Sequence, residues 1–248
     1  MEQQVRTKYQ VVTYGEVFTG KREVNAMLDL VKNETERIDS RFLEPACGTG
    51  NFLAEILERK LTVVENSYKK NQYDYERFAV LAISSMYGID KQENSVQHCR
   101  QRLIGIFDLN YLRLFKGHTK DSCRDTIRYI LERNIIHGDA LTLMTLETPS
   151  QPIIFSEWSL VNNDMLKRRD FSFYELLEHE SYKELPLWSD MGEDVFIPTP
   201  IKDYPPMHFL RLNVEASSRS LEKDKTECEN KSINQDDVAK IENNNELL

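Results

Sequence analysis

A glycine-containing string between a short apolar segment and a helical pattern carries the clearest chemical signal in the sequence. Residues 42–53 read FLEPACGTGNFL, so an apolar strand leads through two closely spaced glycines directly into a helix. Glycine lets the backbone turn sharply and approach a ligand closely, because it has no Cβ. A helix N-terminus adds unpaired N–H groups and a positive dipole end. The string predicts a turn that binds a carboxylate-bearing ligand; a purely structural turn is the alternative.

Two aspartates follow later apolar strands in the same half of the chain. Asp90 ends the strand-like string MYGID, and a carboxylate in that position can accept hydrogen bonds from ribose hydroxyls. It comes about 40 residues after the glycine string rather than the usual ~20, and residues 62–77 fit an insertion that accounts for the excess. Asp139, in IIHGDAL, is the second such aspartate. Asp90 could instead be an ordinary strand-closing residue, and Asp139 could cap a turn.

These strings, in this order, resemble the S-adenosylmethionine-dependent adenine-N6 DNA methyltransferases of restriction–modification systems, over roughly residues 14–143. The resemblance implies that the glycine string is cofactor-binding motif I and that Asp90 and Asp139 belong to motifs II and III. Its implied cofactor contacts in and after the glycine string are Glu44, Pro45, Ala46, Cys47, Gly48, Gly50, Asn51 and Phe52. The resemblance further implies that Asp139 and Ala140 meet the adenine ring.

A segment ahead of the glycine string resembles motif X of the same family. Residues 15–20 read GEVFTG and precede a helical pattern, whereas the family usually has Phe-Thr-Pro there. Gly20 therefore stands where the proline is expected. The resemblance implies that Phe18 and Thr19 close over the methionine end of the cofactor. The alternative is a turn followed by an amphipathic helix.

The catalytic signature of that family, Asn/Asp-Pro-Pro-Tyr/Phe, is missing from the expected strand. In the family its polar side chain and a proline carbonyl accept hydrogen bonds from the target amino group, and its aromatic ring stacks on a flipped base. The matching place, residues 152–159, reads PIIFSEWS. Ser156, Glu157 and Trp158 are interpreted as a divergent substitute, with Glu157 accepting and Trp158 stacking, or else the site is inactive. A Pro-Pro pair at residues 205–206 comes too late and is interpreted as a loop.

Two basic stretches are candidates for contact with DNA phosphates. One covers residues 113–133, where Arg124 and Arg128 lie one helical turn apart and share a face. The other is the run Lys167, Arg168 and Arg169, shortly after the predicted catalytic position. Solvent-exposed surfaces without a ligand are the alternative in both cases.

Apolar spacing assigns the elements that must position these residues. Helical patterns at residues 22–31, 51–59, 75–85 and 94–103 alternate with short apolar strands, which favours a parallel α/β sheet. With the resemblance, we expect a class I, Rossmann-like methyltransferase sheet with helices on both faces, shortened at its C-terminal end. The expected divisions are an N-terminal segment (1–40), the cofactor-binding core (41–160), a short C-terminal element (161–214) and a disordered acidic tail (215–248).

Composition limits the classes of protein. The chain has 248 residues and a net charge of −9, which argues against a general polyanion-binding protein. No apolar run reaches the ~18 residues of a membrane helix, and we see no signal peptide, so a cytoplasmic protein is expected. The four cysteines form no CxxC pair, so neither a zinc site nor a disulfide framework is expected. Methyl transfer from a sulfonium requires no metal.

Three functions fit these observations. The leading one is an adenine-N6 DNA methyltransferase that uses S-adenosylmethionine and takes DNA as its partner. The second is a catalytically silent subunit or sensor that binds the cofactor and works with a catalytic, specificity or target-recognition chain. The third is an RNA or small-molecule methyltransferase. A fold alone does not separate them, because function depends on the site.

Overall fold

A computed structural model describes residues 19–181 and 199–212 of the chain. Within these ranges it has seven α-helices, one short 3-10 helix and eight strands. The helices are α1 (Lys21–Asp29), α2 (Lys32–Thr35), α3 (Asn51–Tyr68), α4 (Gln72–Ser84), α5 (Glu93–Phe115), α6 (Asp121–Asn134) and α7 (Phe173–Ser181). The strands are β1 (Phe42–Glu44), β2 (Met86–Asp90), β3 (Ile135–Asp139), β4 (Met144–Thr145), β5 (Ile154–Val161), β6 (Met165–Ser172), β7 (Lys202–Asp203) and β8 (Met207–His208).

The first sheet has the strand order β1-β2-β3-β4. β1, β2 and β3 are parallel, with Leu43 opposite Tyr87 and Ile89 opposite Ile136, and β4 returns antiparallel to β3. Helices connect the parallel strands, as parallel pairing requires. The α/β prediction is therefore confirmed at this level, and the carboxyl ends of the three parallel strands meet at one edge.

The helix after the glycine string is twice as long as its predicted length. α3 runs from Asn51 to Tyr68, and apolar residues at helical spacing, including Leu53, Leu57 and Val64, are fully buried along it. Asn71 then caps the N-terminus of α4, because its side chain accepts hydrogen bonds from the N–H groups of Tyr73 and Asp74. The insertion predicted at residues 62–77 is thus the end of α3 and the start of α4. This explains why Asp90 follows the glycine string so late.

The second sheet is antiparallel and is a correction to the predicted architecture. β5 and β6 form a hairpin whose turn residues Asn162 and Asn163 both have positive φ, and β7 and β8 pair with β6. The apolar residues 152–155 were expected to continue the alternating parallel pattern. Instead, β5 starts at Ile154 and pairs antiparallel with β6 along its whole length. The expected boundary between residues 160 and 161 falls inside this hairpin.

The two faces of β2 pack against different partners. Met86 belongs to the main core with the helices, whereas Tyr87 and Ile89 contact a smaller cluster that includes Phe155 and Phe173. Tyr87 also donates a hydrogen bond to the Ser156 carbonyl oxygen, 3.0 Å away. In the described ranges, β5 and the start of α7 therefore cover the face on which a second layer of helices was expected.

The segment 199–212 returns to complete the main core. Phe209 is fully buried and Leu212 nearly so, and both pack in the same cluster as the helices. Thr126 of α6 donates a hydrogen bond of 2.8 Å to the Phe209 carbonyl oxygen. These contacts join residues more than 80 positions apart, so the core depends on a late part of the chain.

Three sequence-based predictions concern residues outside the described ranges. They are the motif X residue Phe18, the thiol of Cys228 and the acidic tail at 215–248. Cys47, Cys99 and Cys123 are described, and all three are buried free thiols. In residues 19–181 and 199–212, none of the helices has the length and apolar character required to cross a bilayer.

A fully buried lysine lies beneath β1. Lys60 of α3 donates hydrogen bonds through its Nζ to the carbonyl oxygens of Ile38 and Ser40 and to the Ser85 hydroxyl. It therefore joins the segment that enters β1 to the end of α4. Burial removes the ammonium from water and lowers the pKa of Lys60 to about 7.

We expect this lysine to make the free energy of unfolding rise with pH above neutrality. Between pH 7 and 10.5 the unfolded chain binds a proton at Lys60 that the folded chain does not, so alkali favours the folded state. The expected gain is about 2 kcal/mol between pH 7 and 9. Buried thiols such as Cys47, whose pKa is raised, lower stability as the pH approaches 9, so the lysine is isolated by comparing variants. Urea denaturation at both pH values should give a change between pH 7 and 9 that is about 2 kcal/mol more favourable in the unmutated chain and in Lys69→Met, an exposed control, than in Lys60→Met. An identical change in all three would contradict the assignment.

Candidate functional site

The glycine string forms a tight turn between β1 and α3. Gly48 and Gly50 both have positive φ, +51° and +80°, which glycine adopts without strain. The Cys47 N–H donates to the Ile89 carbonyl oxygen at 2.9 Å, and the Gly50 N–H donates to the Cys47 carbonyl oxygen at 2.8 Å. The first bond attaches the turn to β2 and the second closes it.

The two glycines differ in what surrounds them. A Cβ on Gly50 would lie 2.6 Å from the Cys99 sulfur, whereas a Cβ on Gly48 would meet no atom within 4 Å. Gly50 is therefore needed for packing against α5, and Gly48 faces open space. This open space is where a ligand could approach the backbone of the turn.

Asp90 lies directly against this turn. The Gly48 N–H donates to Asp90 Oδ2 at 2.9 Å, and the Gln92 N–H donates to Asp90 Oδ1 at 2.8 Å. The structure thus brings together the glycine string and the strand-end carboxylate, which are 42 residues apart in sequence. Each carboxylate oxygen retains a lone pair for a further donor, since an ionised carboxylate can accept about four hydrogen bonds.

Asp139 ends the neighbouring strand, β3, and is held by a cation that sequence reasoning missed. Lys91 Nζ lies 2.9 Å from Asp139 Oδ2, while the Leu141 N–H donates to Oδ1 at 2.9 Å. The hydrogen bond from Lys91 is the main cause of a lowered pKa of Asp139. Lys91 follows Asp90 directly in the sequence, so its position at the carboxyl edge of β2 was the available signal.

The other residues of the glycine string have mixed surroundings. Burial raises the pKa of the Glu44 carboxyl, although the Ala46 N–H partly offsets this. Contact with Cys99, together with burial, raises the pKa of the Cys47 thiol, so that thiol is unreactive and serves packing. Pro45 and Ala46 are exposed, while Phe52 packs against the main core.

Thr19 and Ala140 are the predicted cofactor residues at the two outer ends of the site. Asn51 Nδ2 donates to the Thr19 carbonyl oxygen at 3.1 Å, so Thr19 does lie beside the start of α3. Ala140 is half-buried immediately after Asp139. The structure therefore brings Thr19, Asn51, Asp90 and Asp139 to the glycine turn or to the adjoining edge of the sheet.

The residues predicted to be catalytic have structural partners instead. Ser156 is buried and donates to Asp170 at 2.8 Å, and Trp158, only 5% exposed, donates through Nε1 to Asn134 Oδ1 at 3.1 Å. Glu157 forms ion pairs with Arg41 and Arg169. A core indole has no exposed face for stacking on a base, so we do not keep the stacking interpretation of Trp158.

The cations predicted to contact DNA are all paired with carboxylates of the chain. Arg124 pairs with Asp108 and Asp121, Arg128 with Asp125, Lys167 with Asp203, Arg168 with Asp170, and Arg169 with Glu157. Arg168 is held on two sides, because its guanidinium makes two bonds of 2.7 Å to Asp170 and lies over the Tyr204 ring. Because these cations are already paired, they do not form an open basic surface for DNA phosphates.

Groups able to hold a metal ion, meaning three or more His, Cys, Asp or Glu side chains in one cluster, do not occur in the described ranges. A cavity of about 140 Å³ does occur on the flank of α3, where Lys21, Glu58 and Arg102 are among its lining residues. Of the predicted cofactor residues only Asn51 lines it, so the cavity adjoins the glycine turn without containing it.

Comparisons of the chain with protein-family models, with curated proteins and with solved structures give no match. The assignment of the site therefore rests on its own geometry. That geometry consists of a glycine turn, a strand-end carboxylate bonded to it, and a second strand-end carboxylate beside it.

Proposed function

We propose that the chain binds S-adenosylmethionine at the carboxyl edge of β1, β2 and β3, and that it takes part in methyl transfer of the adenine-N6 DNA type. The observation that carries this proposal is the hydrogen bond from the Gly48 N–H to Asp90. It joins a glycine turn and a strand-end carboxylate into one site, which is the usual arrangement for nucleotide-type ligands in α/β sheets. Three parallel strands with helical connections suit a Rossmann-like methyltransferase fold.

The residues at this edge suit the chemical groups of that cofactor. Asp90 would accept hydrogen bonds from ribose hydroxyls through its remaining lone pairs. The first N–H groups of α3 would bind the carboxylate of the methionine part. The missing Cβ of Gly48 leaves space for the ligand beside the turn. When bound, S-adenosylmethionine would supply a methyl group on a positively charged sulfur, and the protein would orient that group towards its acceptor.

A second candidate function is a cofactor-binding subunit whose chemistry depends on a partner chain. One observation favours it: Ser156, Glu157 and Trp158 are all engaged in contacts within the chain. In this case the acceptor for the target amino group and the stacking ring would come from the partner. DNA contacts would come largely from the partner too, because the predicted basic residues are already paired.

We expect the chain to give a saturable heat signal with S-adenosylmethionine in calorimetry. Asp90→Ala should weaken binding about a hundredfold, because two charge-assisted hydrogen bonds to the ribose would be lost. Asp125→Ala, which removes an exposed carboxylate paired with Arg128 on α6, is the matched control and should bind normally. Absence of binding by the unmutated chain would refute the proposal.

The same preparation can separate the two candidate functions. Labelled S-adenosylmethionine and mixed-sequence duplex DNA should give little or no methylated product with the chain alone if a partner supplies the chemistry. Sequence-specific adenine methylation by the chain alone would instead favour the complete enzyme. In that case Glu157→Gln should change kcat more than cofactor affinity, provided that Glu157 acts in the transition state.

A further inference from the structure

Three residues form a hydrogen-bonded bridge across the start of α3. Asn51 is the first residue of that helix, directly after Gly50, and its Nδ2 donates to the Thr19 carbonyl oxygen at 3.1 Å. Arg102 of α5 donates through one terminal nitrogen to Asn51 Oδ1 at 2.6 Å. The same nitrogen lies 3.5 Å from the Thr49 carbonyl oxygen. We call this arrangement of Arg102, Asn51 and Thr19 the Asn51 clamp.

The direction of each bond in the clamp is fixed by chemistry. A guanidinium can only donate hydrogen bonds, so Arg102 must face the oxygen of the Asn51 amide. The amide nitrogen is then directed at Thr19, whose carbonyl oxygen can only accept. Arg102 therefore sets the orientation of Asn51, although it does not touch Thr19 itself.

The clamp is not needed to hold α1 against the protein. Val24 and Leu28 bury the inner face of α1 in the main core. Arg59 of α3 also donates to Asn25 and pairs with Asp29, which lie further along α1. The separate effect of the clamp is on the residues that enter α1, since it connects them to the helix that begins at the glycine turn.

We propose that Arg102 and Asn51 are positioning residues that hold Thr19 beside the glycine turn, so that the segment entering α1 borders the bound cofactor. This inference rests on the proposed function, because it assigns the clamp to the same cofactor site. Asn51 then acts through Thr19 rather than by contacting the cofactor. The position of Thr19 and the conformation of the turn are linked in this way, since Asn51 directly follows Gly50.

The test is Asn51→Asp, which keeps the shape of the side chain but removes its donor. The new carboxylate can pair with Arg102 and is favoured at a helix N-terminus, so the fold should persist. It repels the Thr19 carbonyl oxygen, and the clamp should open. We expect faster hydrogen exchange in peptides covering residues 19–24, and about tenfold weaker binding of S-adenosylmethionine in calorimetry.

Asn110→Asp is a closely matched control. Asn110 also accepts a hydrogen bond from an arginine, Arg113, and donates one to the backbone carbonyl oxygen of Ile106. It lies on α5, two turns beyond Arg102, and is not part of the clamp. It should change neither exchange at residues 19–24 nor cofactor affinity. Arg102→Met should act in the same direction as Asn51→Asp, while Arg102→Lys, which keeps a donor, should restore part of the affinity.

The readouts separate failure of the clamp from failure of the proposed function. Hydrogen exchange is measured without ligand, so an unchanged exchange rate in Asn51→Asp overturns the clamp whether or not the chain binds the cofactor. Faster exchange with unaltered affinity overturns the positioning role. If the unmutated chain does not bind S-adenosylmethionine, the proposed function fails and the cofactor role of the clamp fails with it.

Discussion

Gly50→Ala should destabilise the protein far more than Gly48→Ala, although both glycines have positive φ. Alanine at either position incurs roughly 1–2 kcal/mol of backbone strain. At Gly50 the new Cβ would also lie 2.6 Å from the Cys99 sulfur, within a closely packed core. Overpacking of that kind adds about 1–3 kcal/mol. Chemical denaturation should therefore give a loss of about 2–5 kcal/mol for Gly50→Ala, the sum of the two costs.

Gly48→Ala should instead affect binding more than folding. Its Cβ would enter the open space beside the turn, so the fold should lose only the strain energy. A β-branched residue there would fill more of that space and should abolish cofactor binding. The double variant Gly50→Ala with Cys99→Ala should regain part of the lost stability, because the sulfur is removed. Equal destabilisation by the two single alanine variants would contradict this assignment.

Arg168→Met is expected to cost about 3–5 kcal/mol of stability, because it leaves a buried carboxylate without its cation. Asp170 is only 7% exposed, and Arg168 donates to both of its oxygens at 2.7 Å. Arg168 also donates to the Tyr129 hydroxyl at 3.1 Å. Denaturation in urea should show the loss as a lower midpoint with an unchanged slope.

Lys167→Met on the same strand is the matched control for this variant. Its partner Asp203 is about half exposed, so the pair should contribute at most about 1 kcal/mol. Arg168→Met combined with Asp170→Asn should recover part of the stability, since the unpaired charge is gone. A variant Arg168→Met that folds normally but loses affinity for DNA would return Arg168 to the role predicted from sequence.

The parts of the site that sequence reasoning found are those with local signals. The two glycines of the turn have positive φ, and closely spaced glycines before a helix predict such a turn directly. Asp90 is predicted as a ribose-binding carboxylate because it ends an apolar strand, and the structure places it against the turn. The apolar spacing of α3, α4 and α5 likewise identified the helices, although the spacing alone did not set their bounds.

The parts of the site that sequence reasoning missed depend on contacts between residues far apart in the chain. The apolar residues before Ser156 predict a strand, but an apolar run carries no information about whether that strand pairs parallel or antiparallel. Lys91 and Arg102 meet their partners through the fold, with no spacing rule to connect them. The burial of Trp158 depends on Asn134, 24 residues earlier, and on the packing of two elements. The adjacent asparagines at 162 and 163 were a hairpin signal that was overlooked.

The insertion of Phe209 into the main core has a consequence for the order of folding during synthesis. The helices and parallel strands up to β4 can pair as they emerge, since the β1-β2 and β2-β3 pairs and the contact between α3 and α4 lie within that part of the chain. Thr126 and the surrounding core residues must nevertheless wait for Phe209, which is synthesised 83 residues later. Until then an apolar gap stays open to solvent, and exposed apolar surface of this kind promotes association with other chains. Closure of the core is thus a late event on the ribosome, although the glycine turn is made early.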